Sequence, residues 1–208
     1  MKIGINSLFF QFPNSGSGQY LSHLIRALSE VDEENEYILL GPHPLPRGDN
    51  RLSSFSYLAK PVPGFAANNE NVAKLIWEQF TAPAAARKAG LDIFHVPYFA
   101  PPYFPRTPTV VTIHDVIPLR LPLYRAGAAV NGYMKLVAHA AHKATLVIAV
   151  SQHAKQDMVD MLHLPAERIR VIYEAAGDEY HPVSDATKLA EVRKRYGVNS
   201  RYIFYLGG

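Results

Sequence analysis

No cysteine occurs in the 208 residues. That excludes disulfides, thiolate nucleophiles and cysteine-based zinc sites, and it fits a reducing compartment. No stretch approaches the roughly 20 apolar residues that a membrane span requires, and there is no internal repeat or low-complexity tract. Charge of one sign is also scarce. The formal net charge is +3, with basic residues scattered among acids, and nucleic-acid binding needs them massed into a stripe, so no nucleic-acid partner is expected. The opening MKIGINSLFF carries one lysine and then a short mixed run containing Asn6 and Ser7. A signal peptide needs a longer apolar core and a small-residue cleavage site. The segment reads as a first strand, and the expected location is cytoplasmic. With 48% hydrophobic and 19% charged residues, the chain has the composition of an ordinary globular protein. Its length can bury one good core with a small annex.

Strand-like apolar runs alternate with helical patterns from end to end. Ile3–Phe10 reads as a strand, Gln11–Gly16 as a loop and Ser17–Ser29 as a helix. Tyr20, Leu21, Leu24, Ile25 and Leu28 recur in that helix at three- and four-residue spacing, giving one apolar face. Further strands are expected at Glu36–Gly41, Phe55–Val62, Asp92–Val96, Thr109–His114, Thr145–Val150 and Ile169–Tyr173. Helices are expected at Asn69–Lys88 (interrupted or kinked near Pro83), Ala126–Lys143 and Ser151–Leu162. Repeated β-α-β order with near-continuous apolar strands predicts an α/β, Rossmann-like parallel sheet with helices on both faces. The proline-rich stretches His43–Arg47 and Pro97–Pro108 read as loops. In the second, Pro102, Pro105 and Pro108 would lower the entropy lost on binding. Glu174–Ser184 reads as a linker, Asp185–Tyr196 as a short charged helix, and Arg201–Gly208 as another buried strand. The expected domains are therefore residues 1–183 and residues 184–208.

The most informative run is TVVTIHDVIP, Thr109–Pro118. A buried strand there delivers His114 and Asp115 to the carboxyl edge of the sheet, where ligands of open α/β sheets bind. The pair could orient a hydroxyl, stabilise charge or exchange a proton; alternatively Asp115 caps the next segment and His114 is a satisfied core histidine. The loop Ser15-Gly16-Ser17-Gly18 leads into a helix whose free N–H groups suit an anion. It lacks the third glycine of a dinucleotide fingerprint, since Leu21 stands there. Gly41-Pro42 stands where the fingerprint's acid would follow the second strand, so NAD is not expected. The structural alternative is a flexible turn with Ser17 as N-cap. Ser151 reads first as an N-cap, because Val150-Ser151-Gln152 lacks the glycines of a nucleophile elbow. His139 and His142 lie three apart without a matching carboxylate, so a solvated basic face is expected rather than a metal site. Arg125, Lys135, His139, His142 and Lys143 together offer a surface for anionic lipid or a phosphorylated acceptor.

In order along the chain stand SGSGQYLSHLIRAL, DIFHVPYFAPP, TVVTIHDVIPL, ATLVIAVSQHAKQDM, PAERIRVIYEAAGDEYHP and YIFYLGG. This ordered set closely resembles the N-terminal half of retaining, nucleotide-sugar-dependent glycosyltransferases of family four, which have the GT-B fold. The likeness covers nearly the whole chain and is weakest between about Pro42 and Glu70. It implies an acceptor-side domain facing a donor domain across a cleft. Gly16, Ser17 and Gly18 would line that cleft beside the donor diphosphate. His114 would sit against the donor sugar, Asp115 would help position it, and Tyr98 and Ser151 would join the substrate-binding set. YIFYLGG resembles the first strand of the donor domain. The basic residues that grip the diphosphate and the paired glutamates of the family lie beyond that strand. The expectation is thus an N-terminal fragment that transfers little or no sugar alone. Its partners would be a nucleotide sugar, an acceptor glycan or lipid, and the missing C-terminal domain. No cofactor and no obligatory metal are implied. Peripheral contact with the inner membrane face and self-association of the bare cleft surface complete the expectations.

A sugar-nucleotide 2-epimerase or a phosphorylase shares the two-domain architecture, but no cleft carboxylates for epimerisation are singled out. The non-enzymatic alternative is a stand-alone glycan- or partner-binding module, and a flavodoxin-type domain is a more remote one.

Overall fold

A computed structural model describes residues 1–44, 55–121, 127–177 and 180–205. Two compact units divide the chain, residues 1–174 and residues 175–208. Within the first unit, β1 (Lys2–Asn6), β2 (Glu36–Gly41), β3 (Ser56–Ala59), β4 (Ile93–Val96), β5 (Thr109–Ile113), β6 (Leu146–Ala149) and β7 (Ile169–Val171) form one sheet. Its order is β3-β2-β1-β4-β5-β6-β7, and each neighbouring pair is parallel. The chain thus builds outward from β1 in one direction and then in the other, which places a topological switch between β1 and β4.

Both faces of the sheet are covered, which explains the unbroken apolar strand sequences. Along β2, Ile38 and Leu40 enter one core with Trp77, Phe94, Val111 and Ile113. Tyr37 and Leu39 enter the other core with Ile5, Leu21 and Ile25. Leu21 and Ile25 come from α1 (Gly16–Val31), so the apolar stripe of that helix covers the second face. The strand expected over Ile3–Phe10 ends at Asn6. The Asn6 carboxamide oxygen accepts the Leu8 N–H at 3.1 Å and turns the chain into a 3₁₀ turn, Leu8–Gln11. Helix α1 begins one residue earlier than expected and is capped by Ser15, not Ser17. Ser15 Oγ accepts the Gly18 N–H at 3.1 Å.

After the short α2 (Gly64–Ala67), α3 (Glu70–Ile76) runs through a π turn, Trp77–Thr81, into α4 (Ala82–Lys88). Asn69 caps the start through Asn71 and Val72 N–H groups. The interruption expected at Pro83 lies just before it, where the Ala82 N–H reaches back five residues to Trp77 O. Widening the turn sets three consecutive side chains inward: Trp77, Glu78 and Gln79 are all buried. Beyond β5 come α5 (Ile117–Arg120) and α6 (Ala128–Ala141), and α7 (Gln152–Leu162) follows β6. Among the described residues, no helix is long and apolar enough to cross a membrane.

The second unit contains α8 (Ala186–Arg195). Asp185 caps it through the Thr187 and Lys188 N–H groups, and Arg193, Lys194 and Arg195 complement the negative end of its dipole. The strand expected at Arg201–Gly208 is not formed over Arg201–Tyr205. Among the described residues no strand pairs with it, and Ile203 is 98% exposed; an apolar run becomes a strand only when another strand satisfies its backbone. Leu206–Gly208 lie outside the described residues, as do Leu45–Arg47 of the first proline-rich stretch and Arg125 of the basic set.

Two predictions follow from this packing. A Cβ on Gly18 would stand 2.1 Å from Phe12 O, whereas one on Gly16 meets nothing within 4 Å. Gly18→Ala is expected to destabilise the chain by about 1–3 kcal/mol and Gly16→Ala to leave it within about 0.5 kcal/mol; denaturant unfolding distinguishes them. His95, on β4, shares a 2.9 Å hydrogen bond with Thr112 Oγ1, and desolvation pushes its pKa down from 6.5 to about 4. A depressed histidine stabilises the fold while neutral. That contribution is present above pH 6.5 and is lost as pH falls from there towards about 4. His95→Gln should flatten this acid limb of the stability profile; an equally steep limb in the variant would reject the assignment.

Candidate active site

The carboxyl edge of the sheet gathers the ends of β1, β4, β5, β6 and β7 beside the start of α1. β5 delivers His114 there, a half-buried ring held on three sides. Its Nδ1 lies 2.9 Å from Glu174 Oε1 and its Nε2 lies 3.3 Å from the Pro97 carbonyl oxygen. The Tyr20 ring, one turn into α1, meets it edge-on with centroids 4.8 Å apart. Beneath these rings Tyr20 Oη lies 3.4 Å from Thr112 Oγ1, which is the partner of His95. Burial is the main reason the Tyr20 phenol is pushed up in pKa.

Of the residues singled out in the sequence, His114 and the first turn of α1 are brought together, with Tyr20 as the link. The Gly18 N–H is taken by Ser15. Among the described residues, the Gly16 and Ser17 N–H groups meet no protein acceptor, so the positive end of α1 is available to an anion. Asp115 is exposed on the same rim, and its Oδ1 accepts the Ile117 N–H at 2.9 Å. It therefore bonds the first amide of α5 from one position before the N-cap, Val116. Ser151 caps α7 through the Ala154 N–H at 3.0 Å, as its position predicts. Tyr98 is buried, not presented on the rim. Its ring packs edge-on against Phe9, and its hydroxyl accepts from Asn6 Nδ2 at 3.0 Å.

The floor beneath the switch point is a buried polar network absent from the sequence reading. Asn6 Oδ1 accepts from Trp77 Nε1 at 3.0 Å. Glu78, on the π turn, meets Lys74 Nζ at 2.6 Å and accepts from Tyr133 Oη at 2.9 Å. Burial raises the pKa of Glu78 against the opposing pull of Lys74, and burial together with Glu78 raises those of Tyr98 and Tyr133. Gln79 clasps the loop after β4, donating to Pro101 O and accepting from the Tyr103 N–H. His142 Nε2 donates to Leu162 O at 2.8 Å, and His139 stacks on Tyr103; both are used in packing. Among the described residues, no group of three or more metal-ligating side chains is found.

Glu174, which contacts His114, is the residue of this candidate site that the sequence does not single out, since in sequence it reads as the start of a linker. The signal was its position: it closes the segment leaving β7 at the same carboxyl edge that His114 occupies.

The known proteins similar to this chain share the architecture. HepE from Anabaena, solved in complex with UDP-glucose, superposes with a TM-score of 0.56 at 17% identity, over 95% of this chain and 50% of its own. Sucrose-phosphate synthase from Thermosynechococcus elongatus gives a TM-score of 0.60 at 12% identity, over 96% of this chain and 53% of its own. These likenesses concern the fold, and the chain spans about half the length of either structure. An alpha-D-kanosaminyltransferase from Streptomyces kanamyceticus is 33% identical over 70 residues, 33% of this chain and 18% of that protein. Residues 14–176, from the capped start of α1 to just beyond Glu174, match Glycosyltransferase Family 4, and on that match the chain belongs to this family of glycosyltransferases.

Proposed function

We propose that this chain is the acceptor-side half of a nucleotide-sugar-dependent glycosyltransferase that transfers with retention to a glycan or lipid. The observation that carries the reading is the family match across the first unit, joined to a carboxyl edge where His114 stands beside the open N-terminus of α1. A complex of HepE with UDP-glucose supports a nucleotide sugar as donor.

The chemistry follows from charge. As the bond between the anomeric carbon and the diphosphate breaks, the sugar becomes oxocarbenium-like and the leaving oxygen gains negative charge. Amides aimed from a helix start stabilise that oxygen without reorganising, and Gly16 and Ser17 are placed to do so. No metal is obligatory in this scheme. The acceptor oxygen bonds to the anomeric carbon on the face from which the diphosphate departs, and the acceptor's proton passes to a leaving phosphate oxygen. His114 shapes and hydrogen-bonds the sugar and forms no covalent bond with it. Asp115 and Ser151 hold the rim through the helix-start amides they bond. The first strand of a donor domain would follow α8, with the diphosphate-gripping residues beyond it. A cytoplasmic location, with the exposed Lys135 and Lys143 touching anionic lipid, belongs to the same reading.

The 208-residue chain alone is expected to release no UDP from UDP-glucose in the presence of acceptor glycans; steady release would overturn the assignment of transfer to a two-domain enzyme. Saturable glycan binding by this chain with no nucleotide present would favour a binding module instead. In a chain extended through a donor domain, His114→Ala is expected to lower turnover about 10²-fold. Unchanged turnover would remove His114 from the reaction.

A further inference from the structure

His114 has two ring nitrogens facing two acceptors. A neutral imidazole carries one N–H and can serve only one of them. Glu174 is the nearer, at 2.9 Å against 3.3 Å for the Pro97 carbonyl, and its negative charge strengthens the bond. Tyr20 packs edge-on against the ring and restricts its rotation. Glu174 is also the residue at which the first unit ends. The chain leaves the sheet when the Ile172 N–H donates to Ala149 O at 2.9 Å, and two residues later the Glu174 side chain returns to the site. A single contact therefore joins the orientation of the ring to the position of the junction.

We propose that Glu174 is a positioning residue that couples His114 to the junction between the two units. Seated, it holds the ring as the Nδ1–H tautomer and leaves Nε2 unprotonated against the Pro97 carbonyl, where a donor that displaces that oxygen, such as a hydroxyl of the bound sugar, can be accepted. Withdrawn with the junction, it releases the proton to Nε2, which then donates to Pro97 O and is no longer an acceptor. The part played by the sugar hydroxyl rests on the glycosyltransferase reading; the tautomer and the junction coupling do not. Because coupling free energies are reciprocal, whatever fixes the ring also fastens the junction. The side chains of His114 and Glu174 are 26% and 47% exposed, so the coupling is modest.

Nitrogen-15 NMR of the His114 ring in the whole 208-residue chain tests the first half. The wild type should show a protonated Nδ1 and a bare Nε2, and Glu174→Ala the proton on Nε2 alone; protons on both nitrogens of the wild type would overturn the tautomer assignment. Glu174→Gln, whose amide oxygen still accepts, should restore part of the wild-type pattern. A Nδ1–H that persists in Glu174→Ala overturns the positioning role. Amide hydrogen exchange tests the second half. The Ile172 amide, which donates to Ala149 O where the chain leaves the sheet, should exchange roughly 2- to 5-fold faster in Glu174→Ala and in His114→Ala, with no further gain in the double variant. Independent, additive effects would overturn the coupling. Neither readout uses a nucleotide or turnover, so failure here leaves the glycosyltransferase assignment standing, and the reverse also holds.

Discussion

The carboxamide of Asn6 is the contact on which the carboxyl edge depends. It stands at the last position of the central strand, almost fully buried, and every bond it makes fastens a different element. Its oxygen takes the Leu8 N–H, which turns the chain off the strand, and the Trp77 indole N–H, which seats the π turn. Its NH₂ group donates to the Tyr98 hydroxyl and so holds the loop after β4. That loop starts with Pro97, whose carbonyl faces His114. A buried polar group left without its partner costs about 1–3 kcal/mol. Removing this side chain would leave an amide, an indole and a phenol short of a partner at the switch point.

The π turn extends the same logic one layer outward. Ordinary helical spacing would bury Trp77 and send Glu78 or Gln79 towards water. The wider turn directs all three inward, so a carboxylate is buried and must be answered. Lys74 and Tyr133 answer it, and truncating either partner would leave charge without compensation in a dry setting. The result is a floor whose polar groups are held by specific partners, which is the condition for placing a catalytic group within a fraction of an ångström.

How much of this was legible in the sequence depended on distance along the chain. β2 falls on Glu36–Gly41 as expected, because a strand buried on both faces leaves no ambiguity in an apolar run. The overshoot of β1 to Phe10 came from reading Leu8, Phe9 and Phe10 as a continued strand. The signal that ended it was a side-chain bond from Asn6, and periodicity does not report such bonds. The helix break was assigned to Pro83, but the backbone accommodates that proline by widening the preceding turn. The glycines of the first loop looked equivalent, yet Gly18 is fixed by close approach to Phe12 and Gly16 is not. The cap moved with them, from Ser17 to Ser15. Glu174 was invisible because its partner is 60 residues away. The apolar run at Tyr202–Tyr205 has the composition of a strand, and among the described residues no neighbouring strand pairs with it.

The division between floor and rim also bears on how the site works. Asn6, Trp77, Glu78 and Tyr98 are buried and mutually bonded, so their geometry is settled before any ligand arrives. The groups that would meet a ligand stand at the rim: the Gly16 and Ser17 amides, Asp115 at the start of α5, and the half-buried His114 ring. His114 alone belongs to both sets. It is anchored from below by β5, packed by Tyr20, and completed from above by a half-exposed carboxylate at the end of the first unit. A partly exposed pair of this kind is worth little to stability, which makes it easily displaced. Placed at a junction, that weakness lets a small movement of the backbone change the chemistry of a ring that the rest of the fold holds still.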